Sequence, residues 1–328
     1  MKKYWLFGLM AMYSASQATV PSIQVASKPI KDVGFKKIYT FKGHHDIVQT
    51  MRVLKNGLLV SGSADCTIKI WDVDEGCIKR TNHNSKPIFS IEELADGRIL
   101  YGSSNEIVRL WDYMNNKSTV FENLEKTERF LGPIIALDSK KFALCTREKC
   151  IKIWDIDKDS CLKTSVSDQH NAWISSLIAL KNSSLLVSSS WDKTIRLWDT
   201  SQKKLTCIKT FLGHTDCINV VKQLNDQMLV SASDDKTIML WNIDSSTSKT
   251  TFYGHSDRIY ALLVVDGKII SGSRDRTVRI WDSLLQNCIL IIPCSDKIYS
   301  LAFSTDKKYL FIGLGCGDIE VFQVILTP

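Results

Sequence analysis

The chain lacks the features that mark most other classes of protein. Like charges never gather into blocks of five or six, so no polybasic strip or acidic tail exists, and a net charge of +7 is too mild to imply a nucleic-acid partner. Proline is scarce, 6 residues in 328 with 16 glycines, which excludes collagen-like and low-complexity chains. The apolar run Tyr4 to Met12 is about half of the ~20 residues needed to cross a bilayer, so no membrane span is expected. No Cys-x-x-Cys, His-x-x-x-His or acidic calcium loop occurs with ligand spacing, and neither a metal nor another cofactor is expected. What the chain does have is 44% apolar residues, nine Trp and enough length for two ordinary domains or one large repeat or all-β architecture.

The first twenty residues read differently from the rest. Lys2 and Lys3 precede the apolar run, and small residues Ser14, Ala15, Ser16 and Ala18 follow it, which is the layout of a secretory signal peptide with Ser16-Gln17-Ala18 as its processing site. The expected organisation is a signal peptide over 1–20, a linker over 21–35 and one domain over 36–328. Export, periplasmic or secreted, follows if the leader is real, and a cytoplasmic location otherwise. Ten cysteines would invite disulfides in an exported protein. Cys77, Cys161, Cys207 and Cys288, however, recur six to nine residues after a repeated Trp, which reads as small buried apolar residues of one strand. An export leader and reduced thiols pull in opposite directions, and export into a reducing compartment would reconcile them.

A search for internal periods exposes the organisation. Trp71-Asp72, Trp111-Asp112, Trp154-Asp155, Trp198-Asp199 and Trp281-Asp282 share a register with Trp241-Asn242 and Val321-Phe322, at spacings of 40, 43, 44, 43, 40 and 41. Within a unit, segments such as Leu58 to Ser61 precede a polar turn and then an alternating run such as Thr67 to Trp71, the pattern of short strands. Four units carry a His 26 to 28 residues before the Trp: His44, His170, His214 and His255. Only six residues follow Phe322, too few for a turn and a fourth strand, whereas Lys36 to Phe41 is an unassigned strand-like segment before the first Gly-His. That segment is expected to complete the last sheet and close the ring.

Ser, His and Asp in each repeat contain the ingredients of a hydrolase triad. Four copies at constant spacing argue against it, because catalysis needs one site whereas a structural device is needed once per repeat. The string Gly313-Leu314-Gly315-Cys316-Gly317 faintly suggests a dinucleotide loop, but it precedes a strand and reads as a hairpin turn.

Gly43-His44 through Trp71-Asp72, and Gly254-His255 through Ser271-Gly272-Ser273-Arg274-Asp275 to Trp281-Asp282, closely resemble WD repeats. The likeness covers some 290 residues. It implies an all-β fold, a seven-bladed β-propeller of four-stranded antiparallel blades, each sheet sheltering its neighbour around a ring. It also implies a buried network in each full repeat: His44, Ser61, Asp65 and Trp71; His170, Ser188, Asp192 and Trp198; His214, Ser231, Asp235 and Trp241; His255, Ser271, Asp275 and Trp281. Repeats 2, 3 and 7 depart, with Asn105, Glu148 and Cys316 at the turn Asp position, and should be the looser blades.

The usual partner surface of such propellers is the top face, formed by the loops before the innermost strand and the turns between the second and third. On that face the resemblance places Phe130, Arg147, Trp173 and Trp191, an aromatic and Arg mixture of the kind that dominates interfaces. It also places Arg258, Arg274 and Lys297 beside Tyr260 and Tyr299, a basic pocket suited to an acidic or phosphorylated peptide. Arg274 lies where the chain resembles F-box-type substrate-receptor propellers, which put a phosphate-binding Arg there; no F-box accompanies it. The expected function is a non-enzymatic scaffold holding a protein or peptide on the top face, as a monomeric propeller within a complex. The alternative is an exported propeller enzyme or small-ligand binder working at the central channel, which would need unrepeated charged residues on the inner strands.

Overall fold

A computed structural model describes residues 33–103, 108–121, 130–165 and 169–326. The leader and most of the linker expected from the sequence lie outside those residues. The described residues form seven four-stranded sheets in which every paired neighbour is antiparallel, as the sequence predicts.

Blade 1 shows the plan. Its strands run from the inner Val48–Val53 through Leu59–Ser63 and Thr67–Asp72 to the outer Cys77–His83. The second strand is buried throughout, which is why Leu59-Val60-Ser61 reads as a continuous run rather than an alternation. The outer strand is mostly exposed. That gradient corrects the expectation for the cysteines: Cys161 is exposed and Cys77, Cys207 and Cys288 are half-buried, because all lie on outer strands, three opposite the repeat Trp and Cys77 one residue away, opposite Asp72. None of the ten cysteines is joined in a disulfide.

The ring closes as the chain ends foretell. The N-terminal strand Val33–Phe41 pairs with Ile319–Leu326, with Lys36 opposite Gln323 and Phe41 opposite Ile319, and so becomes the outer strand of blade 7. A half-buried clasp joins them, since Lys37 Nζ lies 2.6 Å from Glu320 Oε1, which also accepts from Ser295 Oγ at 2.7 Å.

Neighbouring blades share their cores. Val60, Ile68 and Ile70 of blade 1 pack with Ile88, Ile91 and Trp111 of blade 2, and Val48 and Trp71 of blade 1 pack with Phe41, Phe311 and Val321 of blade 7. Polar links cross the same seams: Ser300 Oγ donates to Val48 O at 2.7 Å, Ile134 N to Ser90 Oγ at 2.9 Å, and Asn219 Nδ2 to Ile259 O at 3.0 Å. The approach is close enough to require Gly62, where a Cβ would meet Ile88 Cγ2 at 2.6 Å and Ile91 Cδ1 at 2.9 Å. Gly62→Ala should therefore overpack the seam and cost about 1–3 kcal/mol. Thermal denaturation will show it; an unchanged melting temperature would mean the blades are less tightly seated.

The Gly-rich string of blade 7 is a hairpin turn, with Leu314 N bonded to Asp318 O at 3.0 Å. Gly317 has φ +92° and its hypothetical Cβ would lie 2.6 Å from His44 O, so both backbone conformation and space demand glycine.

Candidate partner-binding face

The four complete blades each carry the same buried chain of hydrogen bonds. In blade 1, Trp71 Nε1 donates to Ser61 Oγ at 2.8 Å, Ser61 Oγ meets His44 Nε2 at 2.7 Å, and His44 Nδ1 meets Asp65 Oδ2 at 2.8 Å. The set repeats within 0.1 Å as Trp198, Ser188, His170 and Asp192; as Trp241, Ser231, His214 and Asp235; and as Trp281, Ser271, His255 and Asp275. Every donor finds an acceptor if the imidazole is neutral with its proton on Nδ1: indole to hydroxyl, hydroxyl to Nε2, Nδ1 to carboxylate. A fifth member escaped the sequence reading. Thr67, Thr194, Thr237 and Thr277 each donate a hydroxyl to the Asp at 2.6–2.7 Å, and a Thr two residues after each repeat Asp was the available signal.

This geometry offers nothing to a substrate. The four His side chains have no exposure, the Ser residues are fully buried, and each Ser oxygen already holds an indole N–H. The arrangement instead pins the loop before the inner strand to the turn between the second and third. A repeated backbone bond continues that work at the surface: Ala64 N to Ile47 O, Trp191 N to Trp173 O, Asp234 N to Cys217 O, Arg274 N to Arg258 O and Gly315 N to Lys297 O, all 2.8–2.9 Å.

Blades lacking the set show what it supplies. Tyr101 and Leu144 stand where Ser should be, and the buried indole nitrogens of Trp111 and Trp154 have no hydrogen-bond partner. In blade 2, Asn84 replaces the His and receives Tyr101 Oη at 3.0 Å, leaving its own Nδ2 unpaired.

Burial holds His44, His170 and His255 below the ordinary imidazole value, although the Asp beside each pulls the other way. Burial also pushes the Asp carboxyls up, but the bonds from Thr, His and backbone N–H outweigh it, bringing Asp65 to about 2 and lowering Asp192, Asp235 and Asp275 likewise. A His kept neutral when folded protonates more readily when unfolded, so its stabilisation is present above pH ~6.5 and declines as pH falls below that. The depressed Asp values add a second decline below pH ~4. Calorimetry at constant ionic strength should record a melting temperature falling from pH 7 to 5 and again from 4 to 2. A flat profile between 7 and 5 would show that the imidazoles are not buried neutral.

The rigid scaffold displays two patches. In blade 4 the rings of Trp173 and Trp191 stand edge to face, 5.2 Å apart at 61°, with Trp191 45% exposed. Arg147 is exposed on the turn of the neighbouring blade 3, and Phe130 opens the inner strand Phe130–Ala136 of that blade. In blades 6 and 7 Tyr260 and Tyr299 stack in parallel, 5.1 Å apart at 11°. The basic residues around them are answered by carboxylates: Arg258 Nη1 lies 3.4 Å from Asp234 Oδ2, and Arg274 Nε lies 3.7 Å from Asp257 Oδ2. Lys297 is half-buried at the same rim, with no ion pair among the described residues. The patch is mixed in charge rather than basic. Among the described residues no group of three His, Cys, Asp or Glu could hold a metal, and no helix is long and apolar enough to cross a membrane.

Comparison with known proteins agrees with this geometry. The profile of the family described as "WD domain, G-beta repeat" matches residues 35–72, 160–199, 205–242 and 246–282, which are the blades with the complete network. Curated relatives include the nuclear distribution protein PAC1 of Arthroderma otae, 29% identical over 77% of this chain and 53% of its own length. PAC1 of Arthroderma benhamiae is 30% identical with the same coverage. An uncharacterized WD repeat-containing protein of Schizosaccharomyces pombe is 28% identical over 75% of this chain and 70% of its length. The chain thus spans about half the length of the PAC1 relatives it matches. The WD40 propeller domain of Doa1 superposes with a TM-score of 0.74 over 89% of this chain and 97% of that one at 21% identity, a likeness of fold. The chain carries WD repeats and folds as a WD40 propeller.

Proposed function

We propose that this WD-repeat propeller is a non-enzymatic scaffold that holds a protein partner against its top face, with Trp173 and Trp191 as the anchor. One observation carries the reading: a half-exposed Trp is fixed edge to face on a second Trp by a turn that the buried network immobilises. Aromatic anchors held rigid before binding lose little entropy on association and give most of an interface's energy. The surroundings favour the same role. A WD propeller has no intrinsic chemistry, its Ser-His-Asp sets are sealed, and the WD-repeat relatives PAC1 are named for nuclear distribution, a process rather than a reaction.

The patch of blades 6 and 7 is the secondary contact. An acidic or phosphorylated segment there would have to displace Asp234 from Arg258 and Asp257 from Arg274, leaving Lys297 as the readier cation. Tyr260 and Tyr299 offer stacked phenol faces to either kind of partner. Affinity capture from the native cell with the full chain, beside a Trp173→Ala/Trp191→Ala variant verified as folded, tests the proposal. Loss of the captured protein supports it, and equal capture overturns it.

Where this occurs is part of the proposal. Ten cysteines outside any disulfide favour a reducing compartment, whether the chain reaches it by export or by synthesis there. N-terminal sequencing of the mature protein decides: a start at Thr19 means the leader is used.

A further inference from the structure

The seven inner strands place one equivalent residue each on a ring around the central channel. The equivalence follows from register: the residue lies opposite the second-strand position that in turn pairs with the one before the repeat aromatic. Those ring residues are Arg52, Glu92, Ile135, Ile178, Lys222, Leu263 and Ala302, opposite Val60, Leu100, Ala143, Val187, Val230, Ile270 and Phe311. Four are apolar and three are charged, two positive and one negative. They come from blades 1, 2 and 5.

The charges do not cancel. Glu92 is buried and accepts a hydrogen bond from Arg52 Nη2, so these two form a pair across the seam of blades 1 and 2. The ammonium of Lys222 has no hydrogen-bond or ion-pair partner among the described residues. Glu93, next to Glu92 on its strand, is engaged by the Lys55 backbone N–H at 2.9 Å. One positive charge is therefore left over within an apolar collar, where low-dielectric walls focus its field along the channel. Burial depresses the Lys222 ammonium, the nearby Arg52 depresses it further, and Glu92 opposes them only in part. Lys222 is half-buried, and an ammonium without a hydrogen-bond or ion-pair partner beside apolar walls is favourably met by a counter-ion.

We infer that the central channel is a binding site for a small oxyanion, a carboxylate or phosphate, held by Lys222 with Arg52 and excluded from the Glu92 side. The site is independent of the partner face described above. Such a ligand accepts hydrogen bonds from the ammonium and from guanidinium N–H groups not used by Glu92, while the apolar residues of the ring limit its size.

Isothermal titration of the full-length chain with inorganic phosphate, and separately with acetate, at constant ionic strength tests this. One saturable site is expected, tighter for whichever anion fits. Lys222→Met, which keeps the stem and removes the unpaired charge, should fold with an equal or higher melting temperature and weaken binding at least ten-fold. Glu92→Gln, which removes the opposing charge, should tighten it several-fold. Absence of saturable binding of either anion, equal affinity in Lys222→Met, or weaker affinity in folded Glu92→Gln would each overturn the assignment. Retention of the captured protein partner by Lys222→Met is expected, so failure of this site and failure of the scaffold reading are separable.

Discussion

Asp275→Ala will destabilise the propeller by about 3 kcal/mol or more, the largest effect expected of any single truncation on the top face. The carboxylate of Asp275 accepts from His255 Nδ1 at 2.7 Å, Thr277 Oγ1 at 2.6 Å, Thr277 N at 2.9 Å and Ser256 N at 3.0 Å. Truncation leaves four donors without their acceptor, two of them on side chains packed in the blade, and the loss passes along the chain through Ser271 to the indole of Trp281. Asp275→Asn keeps the shape but turns an amide N–H₂ toward a donor, and should cost less than Ala. Glu148 occupies the same turn position in blade 3, where no such network exists, and is exposed; Glu148→Ala should change stability by no more than about 0.5 kcal/mol. Chemical denaturation of the three variants checks the set. Equal effects of Asp275→Ala and Glu148→Ala would mean the network is decorative.

The second large effect concerns binding. Trp173→Ala/Trp191→Ala should weaken partner capture by a factor of about 100 or more, since single hot-spot aromatics are worth about 2–4 kcal/mol each. Stability should fall far less. Trp191 is 45% exposed, Trp173 is half-buried against it, and neither belongs to the blades' hydrophobic clusters, so the pair can be removed together without opening the core. Circular dichroism and a thermal melt establish the fold, and capture or a binding isotherm with the identified partner gives the ratio. Tyr260→Ala/Tyr299→Ala serves as comparison. A larger loss there than with the Trp variant would move the anchor to blades 6 and 7.

Much of the fold could be read from residue spacing, and the reason is local. The aromatic at each third strand recurs in all seven blades, and the His before the inner strand and the turn Asp recur in four, because those blades solve the same packing problem with the same parts. The short tail after Phe322 and the spare strand before Gly43 likewise foretold that Lys36 to Phe41 would finish blade 7. Departures were legible too: Asn105, Glu148 and Cys316 at the turn Asp position marked blades 2, 3 and 7 as different, and in blades 2 and 3 the indoles of Trp111 and Trp154 are without acceptors.

Other features were misjudged for want of side-chain directions. Arg258 and Arg274 counted as free cations until Asp234 and Asp257, twenty-four and seventeen residues away, proved to face them. Cys161, Cys207 and Cys288 share a register and Cys77 falls one residue out of it, and all four lie on the exposed outer strand. Burial depends on which edge of the blade faces water, and a strand's own residues do not state it.

The amino-acid order alone determined that forty-odd-residue sheets are made seven times and that four of them carry His, Asp, Ser and Trp in one phase, because period and hydrogen-bonding type are properties of nearby residues. Tertiary structure alone decided which charges meet. Arg52, Glu92 and Lys222 stand as much as 170 residues apart and share one ring only because closure brings blades 1, 2 and 5 around a common channel. Coulombic neutrality is a property of distance in space, and the chain acquires those distances only when its last sheet takes up its first strand.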